Sequence, residues 1–199
     1  MIGSRRRALE QATQPEHTRS LAQDESGAAA IEFAFVAIPF FALLFASLEA
    51  GLVYLSGRIL ENSVLEVTRR VYTGEVSFSS SADAISYFRR EICNSRTSDG
   101  ELQPKPLLRD CESKLLLDIR PASSFPNSVP PPIVTDEDGD RRIDPDFGGY
   151  EQPAPKQIVV VRAALEHPVL VSLLGANGSN LSANTRLLTA ATAFRTEPF

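Results

Sequence analysis

The chain has 199 residues, a formal net charge of -5, two His and two Cys. The acidic balance and the lack of any basic block beyond Arg5, Arg6 and Arg7 argue against nucleic acid as a partner, because phosphate binding needs clustered cations. His17 and His167 are far apart, no CxxC or HExxH spacing occurs, and no Gly-rich phosphate loop is found. A zinc site, a His-based triad and a nucleotide fold are therefore unsupported.

The first element is an apolar run from Ala28 to Leu48 whose only charge is Glu32. At about 1.5 Å per helical residue it covers roughly 31 Å, close to the ~30 Å bilayer core. It is longer than the apolar part of a secretory signal, and the stretch before it balances Arg5–Arg7 and Arg19 against Glu10, Glu16, Asp24 and Glu25, so a membrane-spanning helix is expected rather than a cleaved secretory signal. A carboxylate inside such a run is costly unless it is paired. Pro39 removes one helical donor and predicts a kink or an open backbone bond there. Ala42, Ala46, Ser47 and Gly51 would allow close helix contact, though small residues are ordinary in such segments.

Beyond Leu55 the apolar positions narrow to a stripe: Ile59, Leu60, Val64, Val67 and Val71, with Arg58, Glu61, Glu66, Arg69 and Arg70 opposite. That pattern predicts one long helix that leaves the membrane, becomes amphipathic and ends near Tyr72-Thr73-Gly74. Lys and Arg on the two sides of the span do not decide its orientation. Cys93 and Cys111 are expected to form a disulfide rather than to stay two buried thiols, because the domain is small and loop-rich. A disulfide would add about 3 kcal/mol by restricting the unfolded chain, and would place residues 74–199 in an oxidising compartment.

Downstream, Ser80 to Asn94 reads as a capped helix with Ala84, Ile85, Phe88 and Ile92 inward. Leu115 to Ile119, the β-branched Gln157 to Glu166, and Asn184 to Phe199 read as strands. "HPVLVSLLG", from His167, reads as a short helix or turn. The expected fold is α+β: a long N-terminal helix, spanning and then amphipathic, with a small antiparallel sheet packed on its outer half. Residues 122–155 hold many of the 14 prolines, Pro130-Pro131-Pro132 among them, and read as a long surface loop. Within it Asp136, Asp138 and Asp140 have the one-three-five spacing of a calcium loop, with Asp144 at position nine. The pattern then fails, because Phe147 stands where a bidentate acid belongs and Gly139 comes two positions early; Asp146 could only partly substitute. Calcium and a plain solvated acidic loop both remain open, and no other cofactor is expected. Asn177 and Asn180 head two sequon-like triplets that read as a turn.

The junction "GAAAIEF", Gly27 to Phe33, resembles the type IV prepilin junction of the Tad/Flp group, where Gly is followed by four residues, then Glu and an aromatic. The flanking "DESGAAAIEFAFVAIPFFALLFASLEAGLVY", with Pro39 in the apolar run and Glu49 near its end, is similar to the N-terminal signature of TadE-like and TadG-like pilus assembly proteins. The Cys pair, "IVVVRA" and "ATAFRTEPF" also look like the TadE-like periplasmic domain. The nearly neutral leader and the Pro- and acid-rich loop depart from that pattern. The resemblance implies a type IV pilin-like fold in three parts: a cytoplasmic leader, 1–27, cut between Gly27 and Ala28 by a prepilin peptidase; a spine helix, 28–73; and a periplasmic domain, 74–199. Glu32, with Phe33 after it, would pair with the new amine of Ala28 from a neighbouring subunit.

By the same resemblance the protein would be no enzyme but a minor pilin or pseudopilin of Flp pilus assembly. It would sit in a bacterial inner membrane or be incorporated into the pilus, its partners being the peptidase, other pilin-like subunits and Tad secretion proteins. The rivals are an uncleaved single-pass anchor with a periplasmic binding or scaffold role, which could use calcium, and an anchored enzyme, for which no constellation of residues is present.

Overall fold

A computed structural model describes residues 26–73, 75–76, 78–122, 132–169, 179–182 and 184–197. Most of the leader (residues 1–25), Pro130 and Pro131, Asn177 and most of the turn after His167 lie outside the described residues. One helix, α1, runs Ser26–Tyr72 without interruption through Pro39. Its length and its end agree with the sequence pattern. Proline has no N–H, so the ladder loses one bond there, and the helix carries on past it.

Up to Leu43 the helix is apolar on all sides and almost wholly exposed: Phe33, Phe35, Val36 and Ile38 are each about 70% open. Only 6% of the most apolar 18-residue window of Gly27–Tyr72 is buried within the chain. That burial distinguishes it from the core helix of a soluble domain, whose apolar residues would be covered by the chain itself.

From Leu44 onward the chain forms an α+β body. Helix α2, Ser81–Cys93, starts at Ser80, whose hydroxyl accepts from the Asp83 amide, and buries Ala84, Phe88 and Ile92. A small hairpin follows, β1 (Asn94–Arg96) with β2 (Leu102–Pro104), then a short helix α3, Cys111–Lys114. The main sheet is made of β3 (Leu116–Ala122), β6 (Gly149–Tyr150), β7 (Ile158–Pro168) and β8 (Thr185–Arg195), in the order β6-β3-β7-β8. The three long strands are antiparallel, as expected, while the two-residue β6 joins β3 in parallel, so the sheet is mixed.

Alternation along the strands sets one face against the outer half of α1. Leu117, Ile119, Val159, Val161, Ala163, Leu165, Leu188 and Ala190 form one core with Leu60, Val64 and Val67 of α1 and with Phe88 and Ile92 of α2. Cys93 and Cys111 are joined as a disulfide, Cα atoms 5.5 Å apart, tying the end of α2 to the start of α3.

The expected long loop is more structured than its composition predicts. Its described part holds a hairpin, β4 (Ile133–Thr135) with β5 (Arg141–Ile143), and the edge strand β6. The hairpin turns at Gly139, whose φ of 85° suits a residue without a Cβ. Ile133 and Ile143 pack with Phe147, Leu181 and Leu187 in a second cluster, and that cover is what lets a Pro- and acid-rich stretch hold strands.

Candidate functional site

The residues of the junction stand in and just past the first turn of α1. Gly27 is exposed, and a Cβ placed on it would meet nothing within 4 Å. Ala28, Glu32 and Phe33 are exposed as well. Gly in a helix costs about 1 kcal/mol relative to Ala, so Gly27 weakens the helix locally. Glu32 has no hydrogen-bond or ion-pair partner among the described residues. Spacing of four puts it on the same helix face as Ala28.

Further along α1 a groove of about 550 Å³ opens between the helix and the start of β8. Ala46, Ala50 and Val53 line its helix side, Leu187 and Leu188 its sheet side, and four charged residues rim it: Glu49, Arg58, Glu61 and Arg186. Arg58 donates from Nε to the Tyr54 hydroxyl at 3.1 Å and from Nη1 to Glu61 at 2.8 Å, with its guanidinium also over the Tyr54 ring. Beside the groove lies His167, cross-strand from Arg186. Burial pushes its pKa down, and Glu49 partly offsets this.

The four proposed calcium ligands are engaged separately in this structure. Asp136 is spent on the hairpin turn, its Oδ1 accepting from the Asp140 amide at 2.8 Å. Asp140 accepts from Ser182 Oγ at 3.1 Å, and Asp144 accepts from the Asp146 amide at 2.9 Å. Asp138 is exposed at the tip. Among the described residues no group of three His, Cys, Asp or Glu side chains is placed to hold a metal ion. Asp136 to Asp140 form the tight turn between β4 and β5, where the Asp136 and Asp140 carboxylates accept from nearby amide and hydroxyl groups.

Three polar clusters escaped the sequence reading because each joins residues far apart in the chain. Glu91 of α2 is met by Arg70 Nη1 at 3.1 Å and Arg96 Nη2 at 3.0 Å. Asp118 of β3 faces Arg162 on β7 in register, with Arg162 Nε at 3.0 Å and Arg120 Nε at 2.6 Å, and Arg162 stacks on Phe147. Lys105 donates to Ser63 Oγ at 2.7 Å and to the Ile92 carbonyl at 2.9 Å, and burial lowers its pKa. All three hold elements together. The sequence carries a signal for one of them, Asp118 between Leu117 and Ile119.

These features define a protein with one long apolar helix fit for membrane anchoring and an α+β domain built on the outer half of that helix. The family described as TadE-like protein matches residues 27–69, so the spine segment, from the junction glycine to the last turns of α1, is TadE-like. No curated protein and no solved structure matches the chain.

Proposed function

We propose that the protein is a TadE-like minor pilin or pseudopilin that acts in Tad pilus assembly and is cut by a prepilin peptidase between Gly27 and Ala28. The observation that carries this reading is the TadE-like match over 27–69, a stretch whose first part is an exposed apolar helix carrying Glu32 near its start. Removal of the leader creates an ammonium at Ala28. Within lipid, that charge and the Glu32 carboxylate of a neighbouring subunit each cost less paired than alone. The work of the protein is then packing and not catalysis: inner helix against other pilin-like helices, head against secretion-system proteins. The Cys93–Cys111 bridge supports a head in the oxidising periplasm and a cytoplasmic leader.

The test is the mass of the N-terminus when the chain is expressed with and without its cognate prepilin peptidase. The expected product starts at Ala28, appears only with active peptidase, and is lost in Gly27→Leu. A chain still intact at Met1 beside an active peptidase would favour the uncleaved-anchor reading instead.

A further inference from the structure

We propose that β8 is an assembly edge, on which an extended segment of a different protein adds as a further strand of the main sheet. β8 stands last in the order β6-β3-β7-β8, so one side of it has no neighbouring strand. The ladder fixes which groups face that side. The Thr196 amide donates to the Gln157 carbonyl and the Val169 amide to the Asn184 carbonyl. Even-numbered residues of β8 therefore bond β7, and odd-numbered ones turn their N–H and C=O outward. The outward row is capped at its start. The Leu181 amide donates to the Thr185 carbonyl at 3.1 Å, and the Leu187 amide donates to Asn180 Oδ1 at 2.7 Å. Beyond Leu187 the row is open. Thr189, Ala191 and Ala193 are exposed, and their outward backbone groups meet no partner among the described residues.

Long open edges invite foreign strands, and proteins blunt them with charge, proline, bulges or brevity. The opposite edge is blunted: β6 has two residues, and Ser81 Oγ donates to the Tyr150 carbonyl at 3.5 Å. β8 runs eleven residues, and its stretch Leu187–Phe194 holds no charge, Pro or Gly. A row of alternating donors and acceptors is recognised by another backbone in extended form. Ala191 and Ala193, opposite Arg162 and Val160 of β7, are small and leave space for large apolar side chains on the added strand.

A second copy of this chain does not fit the edge. The Tyr72 and Phe194 rings meet at 5.7 Å, and Ala50 and Val53 line one groove with Leu187 and Leu188, so α1 and β8 run in the same direction. Copies anchored in one membrane align their α1 helices. Their β8 strands then also run alike, which excludes an antiparallel pair. Two β8 edges facing each other in parallel about a two-fold axis would set their outward rows level, whereas a parallel ladder bonds residues one position out of step. The short, covered β6 supplies no substitute edge. The occupant is therefore a strand of another chain. From the proposed function the added strand needs only that the head meets partner proteins, and not the cut at Gly27.

The test is hydrogen exchange of the full chain, read residue by residue by mass spectrometry. Three samples are compared: membranes of the native host, membranes of a foreign host making this chain alone, and the chain purified in detergent. In native membranes the Thr189, Ala191 and Ala193 amides should exchange more slowly than in the purified chain by about five-fold or more, the scale of one backbone hydrogen bond. The foreign membranes should give no slowing. Ala191→Pro removes an outward N–H that the chain itself does not use, a position where an edge strand tolerates proline. It should abolish the slowing at Thr189 and Ala193 with the melting curve unchanged. If the proline variant melts early, Ala191→Lys, which keeps the amide and charges the edge, serves in its place with the same expected loss. Equal exchange in native membranes and purified chain overturns the proposal, as does slowing that survives a folded variant. Slowing in the foreign membranes also overturns it, because the occupant would then be a second copy. The mass of the N-terminus in the same samples keeps the two readings apart: a chain cut at Ala28 with fast amides defeats only the strand addition, and an uncut chain with slow amides defeats only the cut.

Discussion

Glu91 lies almost out of reach of water, its side chain 6% exposed, yet guanidiniums from α1 and β1 converge on it. Arg70 also bonds Glu66 one turn before it, so the carboxylate is the hub of a network joining α1, α2 and β1. A buried acid with its partners in place contributes little net stability, but removing it strands cations whose hydration has been given up. Glu91→Ala should therefore destabilise the folded head by about 2 kcal/mol, on the low side for a buried pair because its arginines reach solvent. Urea unfolding of the full chain in detergent measures this, and a loss under about 0.5 kcal/mol would mean the network is a surface one in energetic terms. Glu32 is the contrasting acid. It stands among apolar residues, and no described residue of the same chain pairs with it, which is why its partner is sought in another subunit. Glu32 is an oddity visible in the sequence, whereas Glu91, which follows Arg89 and Arg90, is not, and only the fold shows the buried network around it.

Helix α1 carries two surfaces in succession. Its inner part is apolar on every side, while its outer part buries Leu60, Val64 and Val67 and leaves Leu65 47% exposed. The period of 3.6 residues was enough to predict this division, because a helix against a sheet hides one stripe and a helix in lipid hides none. Leu60→Ala should cost about 3 kcal/mol and Leu65→Ala under about 0.5 kcal/mol in thermal unfolding of the same full chain. Equal effects would mean the stripe faces elsewhere. The hairpin β4–β5 is where local reading failed. Proline and acid content predicts loop, and the strands exist because Ile133 and Ile143 find Phe147, Leu181 and Leu187 across the fold. The same turn explains the calcium-like spacing: carboxylates at alternate positions cap the amides of a tight turn as readily as they ligate a cation.

At the scale of the molecule, the head gathers its single large core from α1, α2 and three strands of one sheet. The disulfide closes a loop of sequence separation 18 that contains the β1–β2 hairpin and the Lys105 contacts. Reduction, or Cys93→Ser with Cys111→Ser, should lower stability by about 3 kcal/mol, read as a shift in the urea midpoint with and without reductant. An unchanged midpoint would show that the reduced, unfolded chain is already restricted there.

What the sequence determined by itself is what depends on near neighbours: the span and length of α1, the cap at Ser80, the β-branched run of β7, and with them the TadE-like resemblance that the match over 27–69 bears out. Periodicity and spacing are properties of a short stretch of chain, so they can be read without a fold. Tertiary structure alone decided the parallel edge strand β6, the polar networks at Glu91 and Asp118, and the groove lined by both Arg58 and Arg186. Each of those is a relation between residues distant in sequence, set by which faces bury together. No local pattern encodes such a relation, because the free energy that enforces it comes from a core that exists only once the whole domain has closed.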